Sequence, residues 1–137
     1  MTDIAALLRQ TRRIAVVGAS NKPERPSFGV IRFLLNRGYE VTPVNPGLAG
    51  QEIQGRRVVA TLEEAGPLDM VDVFRRSSEA GAVADEAVRL GAKSVWMQLG
   101  VIDEDAAARA RAAGVEVVMD RCPAIEWGRL GLPSRIA

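Results

Sequence analysis

Apolar positions along this chain fall into two alternating kinds of segment. Short unbroken runs occur at 13–19 (RIAVVGA), 39–46 (YEVTPVNP), 70–74 (MVDVF), 94–100 (SVWMQLG) and 115–119 (VEVVM). Runs of that length without polar alternation mark strands covered on both faces, as in a parallel sheet. Between them, apolar residues recur at helical spacing. Val30, Phe33 and Leu34 follow the first strand; Ala80, Val83, Ala84, Ala87 and Val88 follow the third; an alanine-rich stretch opening at Asp103 and Asp105 follows the fourth. A short helix with Ile4, Leu7 and Leu8 on one face precedes the first strand, and Thr2 is its expected cap.

Stop and start signals agree with this alternation. Ser27 and Ser78 stand where helix N-caps are expected, and Gly38, Gly91 and Gly114 stand where helices end. The glycine-rich segment 47–66 reads as a loop with a small extra strand near 52–59. Thr61 and Glu64 have the spacing of a capping box for a single helical turn. The tail 120–133 (DRCPAIEWGRLGLP) predicts one more helical turn.

Strands alternating with amphipathic helices predict an α/β fold: a Rossmann-like, doubly wound, five-stranded parallel sheet in three layers, forming one domain over 1–137. Counting the strands from the N-terminus, the expected order is 3-2-1-4-5, with the switch point between the first and fourth. Ligands of such sheets bind beyond the carboxyl ends of the strands. The segments to search are therefore 18–27, 44–47, 74–78, 97–102 and 120–123.

Composition narrows the chemistry. With 47% hydrophobic and 26% charged residues in 137, the chain has the balance of a soluble domain with one core. The formal net charge is +1, so the overall field does not call for nucleic acid. Histidine is absent, which removes the usual neutral-pH general base and the commonest zinc ligand. Cys122 is the single cysteine, so no intramolecular disulfide is possible and a reducing compartment fits. The N-terminus carries an acid first and its arginines last, the reverse of a secretory signal. No apolar run approaches the roughly 20 residues that span a bilayer. The expected setting is cytoplasmic, away from membranes.

The loop after the first strand, "GASNKPERPS", suits a pyrophosphate. Gly18 lets backbone approach a ligand, the following helix aims its positive end there, and Lys22 and Arg25 add charge. The three-glycine dinucleotide fingerprint is absent, since Ser20 and Pro23 occupy its later positions. An ordinary strand-to-helix turn with two solvent-facing cations explains the same residues. After the second strand stand Val44, Asn45 and Pro46 rather than the acid that NAD-binding domains place against the ribose hydroxyls. This disfavours NAD and tolerates a phosphorylated ribose. Asn45 suits either a ribose or base edge or an Asx turn before the proline.

Five segments in order, "AVVGASNKPERPS", "GYEVTPVNP", "VDVFRRS", "VWMQLGV" and "DRCPAIE", cover nearly the whole chain. Together they resemble the small stand-alone CoA-binding proteins, single Rossmann-like domains similar to the N-terminal domain of the succinyl-CoA synthetase alpha subunit. The resemblance implies that coenzyme A lies across the carboxyl edge of the sheet. Gly18, Ala19, Ser20 and Lys22 would lie at the phosphates. Val44, Asn45 and Pro46, with Phe74 and Arg75, would face the adenosine half. The turn with Met97, Gln98 and Gly100 would lie along the pyrophosphate and pantetheine.

The charges agree. Lys22, Arg25, Arg75 and Arg76 are cations on ligand-facing loops, and charge-assisted contacts to phosphate are the strong ones. Arg75 also has the planar group to stack on adenine. Arg75 and Arg76 read equally as a solvated turn before a helix, and Phe74 as core. Trp96, inside a strand, reads as core, while Trp127 suits either closure of the last helix or a partner. Asp72 reads as a buried, paired charge, and Asp103 and Asp105 as caps. No acid–base pair stands out, and no metal is expected. The expectation is a non-catalytic binder of CoA or acyl-CoA. An NAD(P)-dependent enzyme and an interaction subunit without ligand are its rivals.

Overall fold

The computed structural model of the chain describes residues 2–136. Strand β1 spans Arg13–Val17 and β2 Glu40–Val44; Glu52–Ile53 (β3) and Arg56–Arg57 (β4) form a small antiparallel hairpin; β5 is Met70–Val73, β6 Ser94–Met97 and β7 Glu116–Val118. The helices are α1 Ile4–Gln10, α2 Pro26–Arg37, α3 Ser77–Arg89, α4 Glu104–Ala112 and α5 Pro123–Leu130. No helix among the described residues is long and apolar enough to cross a membrane.

The principal sheet is parallel throughout, in the order β2-β1-β5-β6-β7. In strands counted from the N-terminus this is 2-1-3-4-5. The Rossmann-like, doubly wound architecture stands as expected, but the third strand lies beside the first instead of outside the second. The switch point accordingly falls between β1 and β5. The outer edge of β2 is already occupied: Val59 N–H donates to Pro43 O at 3.1 Å and Asn45 N–H to Val59 O at 3.0 Å. Pro43 was the signal for this in the sequence, because a proline within a strand is confined to the edge of a sheet.

Burial divides evenly across the sheet, and strand alternation decides which residue goes where. On one face α3 and α4 pack with Ala80, Ala84, Ala87, Ala106, Ala107 and Ala110 against Ala15, Val71, Val95 and Val117. On the other, α1, α2 and α5 pack with Leu8, Ile31, Leu34 and Trp127 against Ile14, Val16, Met70 and Trp96. Trp96 is fully buried, as expected. Trp127 closes the core: it meets the rings of Phe33 and Tyr39 edge-on and donates Nε1–H to Pro133 O at 2.8 Å.

Several expected caps move by one or two positions. Asp3, not Thr2, caps α1 through Ala6 N–H, while Thr2 Oγ1 donates to Glu116. Helix α2 starts at Pro26 with Arg25 at its N-cap. Ser27 lies inside the first turn, buried, where its hydroxyl accepts from Ser20 N–H at 3.0 Å. Likewise α3 has Arg76 at its N-cap, two positions before Ser78. Asp103 caps α4 as expected, accepting from Ala106 N–H, and Gly38 ends α2 at φ 101°. The tail forms the eight-residue α5, longer than the single turn expected.

Candidate functional site

At a switch point the helices on either side leave in opposite directions, opening a crevice at the carboxyl ends of the strands. Here α2 leaves β1 toward the aromatic face and α3 leaves β5 toward the alanine face. The crevice is a cleft of about 790 Å³. Its floor and rim come from the β1–α2 loop, the turn after β2, the β5–α3 turn, the turn after β6 and Cys122.

Gly18 anchors the cleft from below. At φ +87° it adopts the left-handed region, and a Cβ there would lie 2.2 Å from Phe74 O. Phe74 N–H in turn donates to Val17 O at 2.8 Å. The glycine is therefore required by the close approach of β1 and β5, a reason independent of any ligand. Above it the loop is laced to itself: Lys22 N–H donates to Ser20 Oγ, and Arg25 N–H to Lys22 O. Pro26, with no N–H to satisfy, opens α2 toward the cleft, and no side chain caps that end.

Asn45 has little left to offer a ligand. Its Nδ2 donates to Ala19 O at 2.8 Å and its Oδ1 accepts from Gly47 N–H at 2.9 Å. It is the Asx turn of the two alternatives, and it also braces the β1 loop against the turn after β2.

Of the residues expected at the site, Gly18, Ala19, Ser20, Lys22, Arg25, Asn45, Phe74, Arg75 and Gln98 line the cleft together. Val44 and Met97 do not; both are buried strand residues pointing into the alanine-rich core. Pro46 is exposed in the turn outside the cleft. Gly100 also lies off the lining, where its N–H donates to Asp120 Oδ1 at 2.7 Å and its carbonyl accepts from Ser77 Oγ. In each of these strands the residue that lines the cleft is the one past its end, which the contiguous apolar runs blurred.

The electrostatics of the lining are one-sided. Lys22, Arg25, Arg75 and Arg76 contribute to it, and no carboxylate does. Arg76 is partly engaged by Glu79 at 3.1 Å and Arg75 reaches the same carboxylate only at 3.9 Å. Lys22 and Arg25 have no ion pair among the described residues. The rest of the wall is apolar: Val30, Leu48, Phe74, Leu99 and Val101. Leu99 is 56% exposed and adds open apolar surface to that wall.

Two polar side chains stand out. Gln98 is 6% exposed, lines the cleft, and its Oε1 has no hydrogen-bond partner among the described residues. Asp72 is fully buried in the middle of β5, flanked in register by Val16 and Trp96, and neither carboxylate oxygen has a partner among the described residues. The expected pairing of Asp72 is not found; burial pushes its carboxyl well above the usual carboxylate range, so the neutral acid is favoured.

Residues 12–128 match the family model described as a CoA binding domain. The chain belongs to the CoA-binding domain family. Protein YneT of Bacillus subtilis (strain 168) is 40% identical over 121 residues, which is 88% of each chain. A solved protein of Thermus thermophilus is 39% identical and superposes with a TM-score of 0.88 over 95% of this chain and 99% of that one. A dinucleotide-forming acetyl-coenzyme A synthetase of Ca. Korarchaeum cryptofilum shares the fold alone. It is 23% identical, with a TM-score of 0.70, over 88% of this chain and 28% of that one. The cleft is also lined by residues outside the expected site set, among them Asn21, Ser27, Val30, Leu48, Leu99 and Val101. For most of them the signal was position just past a strand, rather than residue type; Ser27 and Val30 lie instead in the first two turns of α2.

Proposed function

We propose that this protein binds coenzyme A, or an acyl-CoA, in the cleft as a non-catalytic module, acting to sense the cofactor or present it to a partner. The observation that carries the reading is the lining itself: Lys22, Arg25, Arg75 and Arg76 without a carboxylate, opposite an apolar wall. A phosphate-rich head attached to a long, weakly polar arm is complementary to that division. Membership of the CoA-binding domain family supports the same ligand. The chain has no histidine, and the cleft lining has no carboxylate to act as general base. A single cysteine suits a reducing compartment such as the cytoplasm.

The NAD reading fares worse on two counts. No acid follows β2, and Asn45, which takes that place, is committed to Ala19 and Gly47. The test is thermal unfolding with CoA and with NAD at equal concentration. Ligand at about 100 times its Kd adds about 2.7 kcal/mol of stability. CoA is expected to raise the Tm and NAD to leave it unchanged; greater stabilisation by NAD would overturn the assignment.

A further inference from the structure

Cys122 is the only thiol in the chain, it is buried, and what surface it has lines the cleft. Its place there is fixed by contacts to the turn after β6. Arg121 N–H donates to Met97 O at 3.4 Å, Trp96 Nε1–H to Arg121 O at 2.8 Å, and Gly100 N–H to Asp120 Oδ1. Asp120 is held at φ 57°, a left-handed conformation that a non-glycine residue keeps only when its surroundings impose it. The chain then turns at Cys122, the N-cap of α5, whose side chain makes no capping hydrogen bond. The sulfur is thus positioned by the fold and has no hydrogen bond among the described residues.

Beside this turn, Gln98 lines the same cleft, and its buried Oε1 has no hydrogen-bond partner among the described residues. A buried acceptor left open in this way calls for an N–H donor from a ligand. The pantetheine arm of CoA carries amide N–H groups and ends in a thiol. An amide accepted by Gln98 would leave the thiol end within the part of the cleft that Cys122 lines.

We infer that Cys122 is a covalent docking point for CoA, capturing it as a mixed disulfide from CoA disulfide or another disulfide of CoA. The inference rests on the proposed binding of CoA in the cleft. In the step, the Cys122 thiolate attacks the sulfur that CoA carries in the disulfide. The Cys122–S–S–CoA bond forms and the original S–S bond breaks. The partner sulfur leaves as a thiolate and takes up the proton that Cys122 gave up. Cys122 is oxidised and the leaving thiol is reduced, so the disulfide supplies the oxidant. Reduction by a cellular thiol reverses the step, giving a CoA store that opens and closes with redox state.

The test uses the full chain, reduced and then freed of reductant. It is incubated with CoA disulfide or with glutathione disulfide at equal concentration and followed by intact mass. The expected product is a single CoA adduct that reductant removes, formed about tenfold or more faster than the glutathione adduct because docking raises the local concentration of the disulfide. Q98L is expected to narrow that preference. Since Cys122 is the only cysteine, the adduct assigns itself, and C122S serves only as a blank. CoA binding is titrated in parallel on C122S, and on reduced wild type in case that variant does not fold. Absence of an adduct while CoA binds reversibly overturns the covalent step and leaves the binding reading intact. Equal rates with both disulfides overturn it as well, by making Cys122 an ordinary accessible thiol. If CoA neither binds nor forms an adduct, the binding reading fails with it.

Discussion

The two faces of the sheet are built on opposite plans. The α3–α4 face is filled by small residues: alanines from both helices, and Gly81, approach so closely that a Cβ on Gly81 would lie 2.5 Å from Asp103 Oδ2. The other face is filled by large ones, with Trp96, Trp127, Tyr39, Ile31 and Leu34. The irregular groups belong to this second face. Asp72 and Gln98 share its strand parity with Trp96, and Cys122 packs in its core. Small residues permit helices to close tightly on a sheet and leave nothing over. Large side chains fill the other face, and it holds the unpartnered polar atoms of Asp72 and Gln98, while both faces help to line the cleft.

The largest effect expected from breaking this division is on the aromatic face. Trp96→Ala removes a fully buried indole and leaves Arg121 O without its donor. The loss should be about 3–5 kcal/mol, read from the urea midpoint and slope. A loss under about 1 kcal/mol would mean that the face collapses onto the gap and is not the rigid half described here.

Asp72→Asn should act in the other direction, as a gain that depends on pH. Because burial raises the folded-state pKa of Asp72, both states hold the proton below the ordinary carboxylate value of about 4. As pH rises past that value the unfolded chain releases its proton first. Wild-type stability then falls by about 1.4 kcal/mol per pH unit until the folded acid also ionises. The amide does not titrate, so the variant should gain on wild type as pH rises above about 4. Parallel stability curves across that range would place a partner beside Asp72.

The smallest effect belongs to the alanine face. Alanine at Gly81 gains helix propensity, but its Cβ displaces the Asp103 carboxylate that caps α4. The lost cap and the crowding outweigh the gain, for a net cost of about 1 kcal/mol. In an Asp103→Ala background the obstacle is gone, and Gly81→Ala should become neutral or stabilising. A penalty that persists in the double variant would assign the tightness to the helix backbones instead.

How legible these regions were differs with the range of the interactions involved. The strands, the alanine stripe of α3, the Asp103 cap and the glycine stop at Gly38 depend on residues a few positions apart, and the sequence determined them by itself. The loops that line the cleft were legible for the same reason, since each begins where an apolar run ends. Strand order, the role of Ser27, the brace at Asn45 and the isolation of Asp72 were decided only by tertiary structure. Each depends on a group far away in the chain. Val59 closes the edge of β2 where a further strand was expected, Ser20 reaches back to Ser27, and Ala19 occupies the amide of Asn45. Asp72 sits where β1 and β6 offer only Val16 and Trp96 on either side. Periodicity reports which face of an element is apolar; which element will meet that face is settled by the packing of the whole chain, because hydrophobic burial is non-directional and selects partners only through shape and free edges.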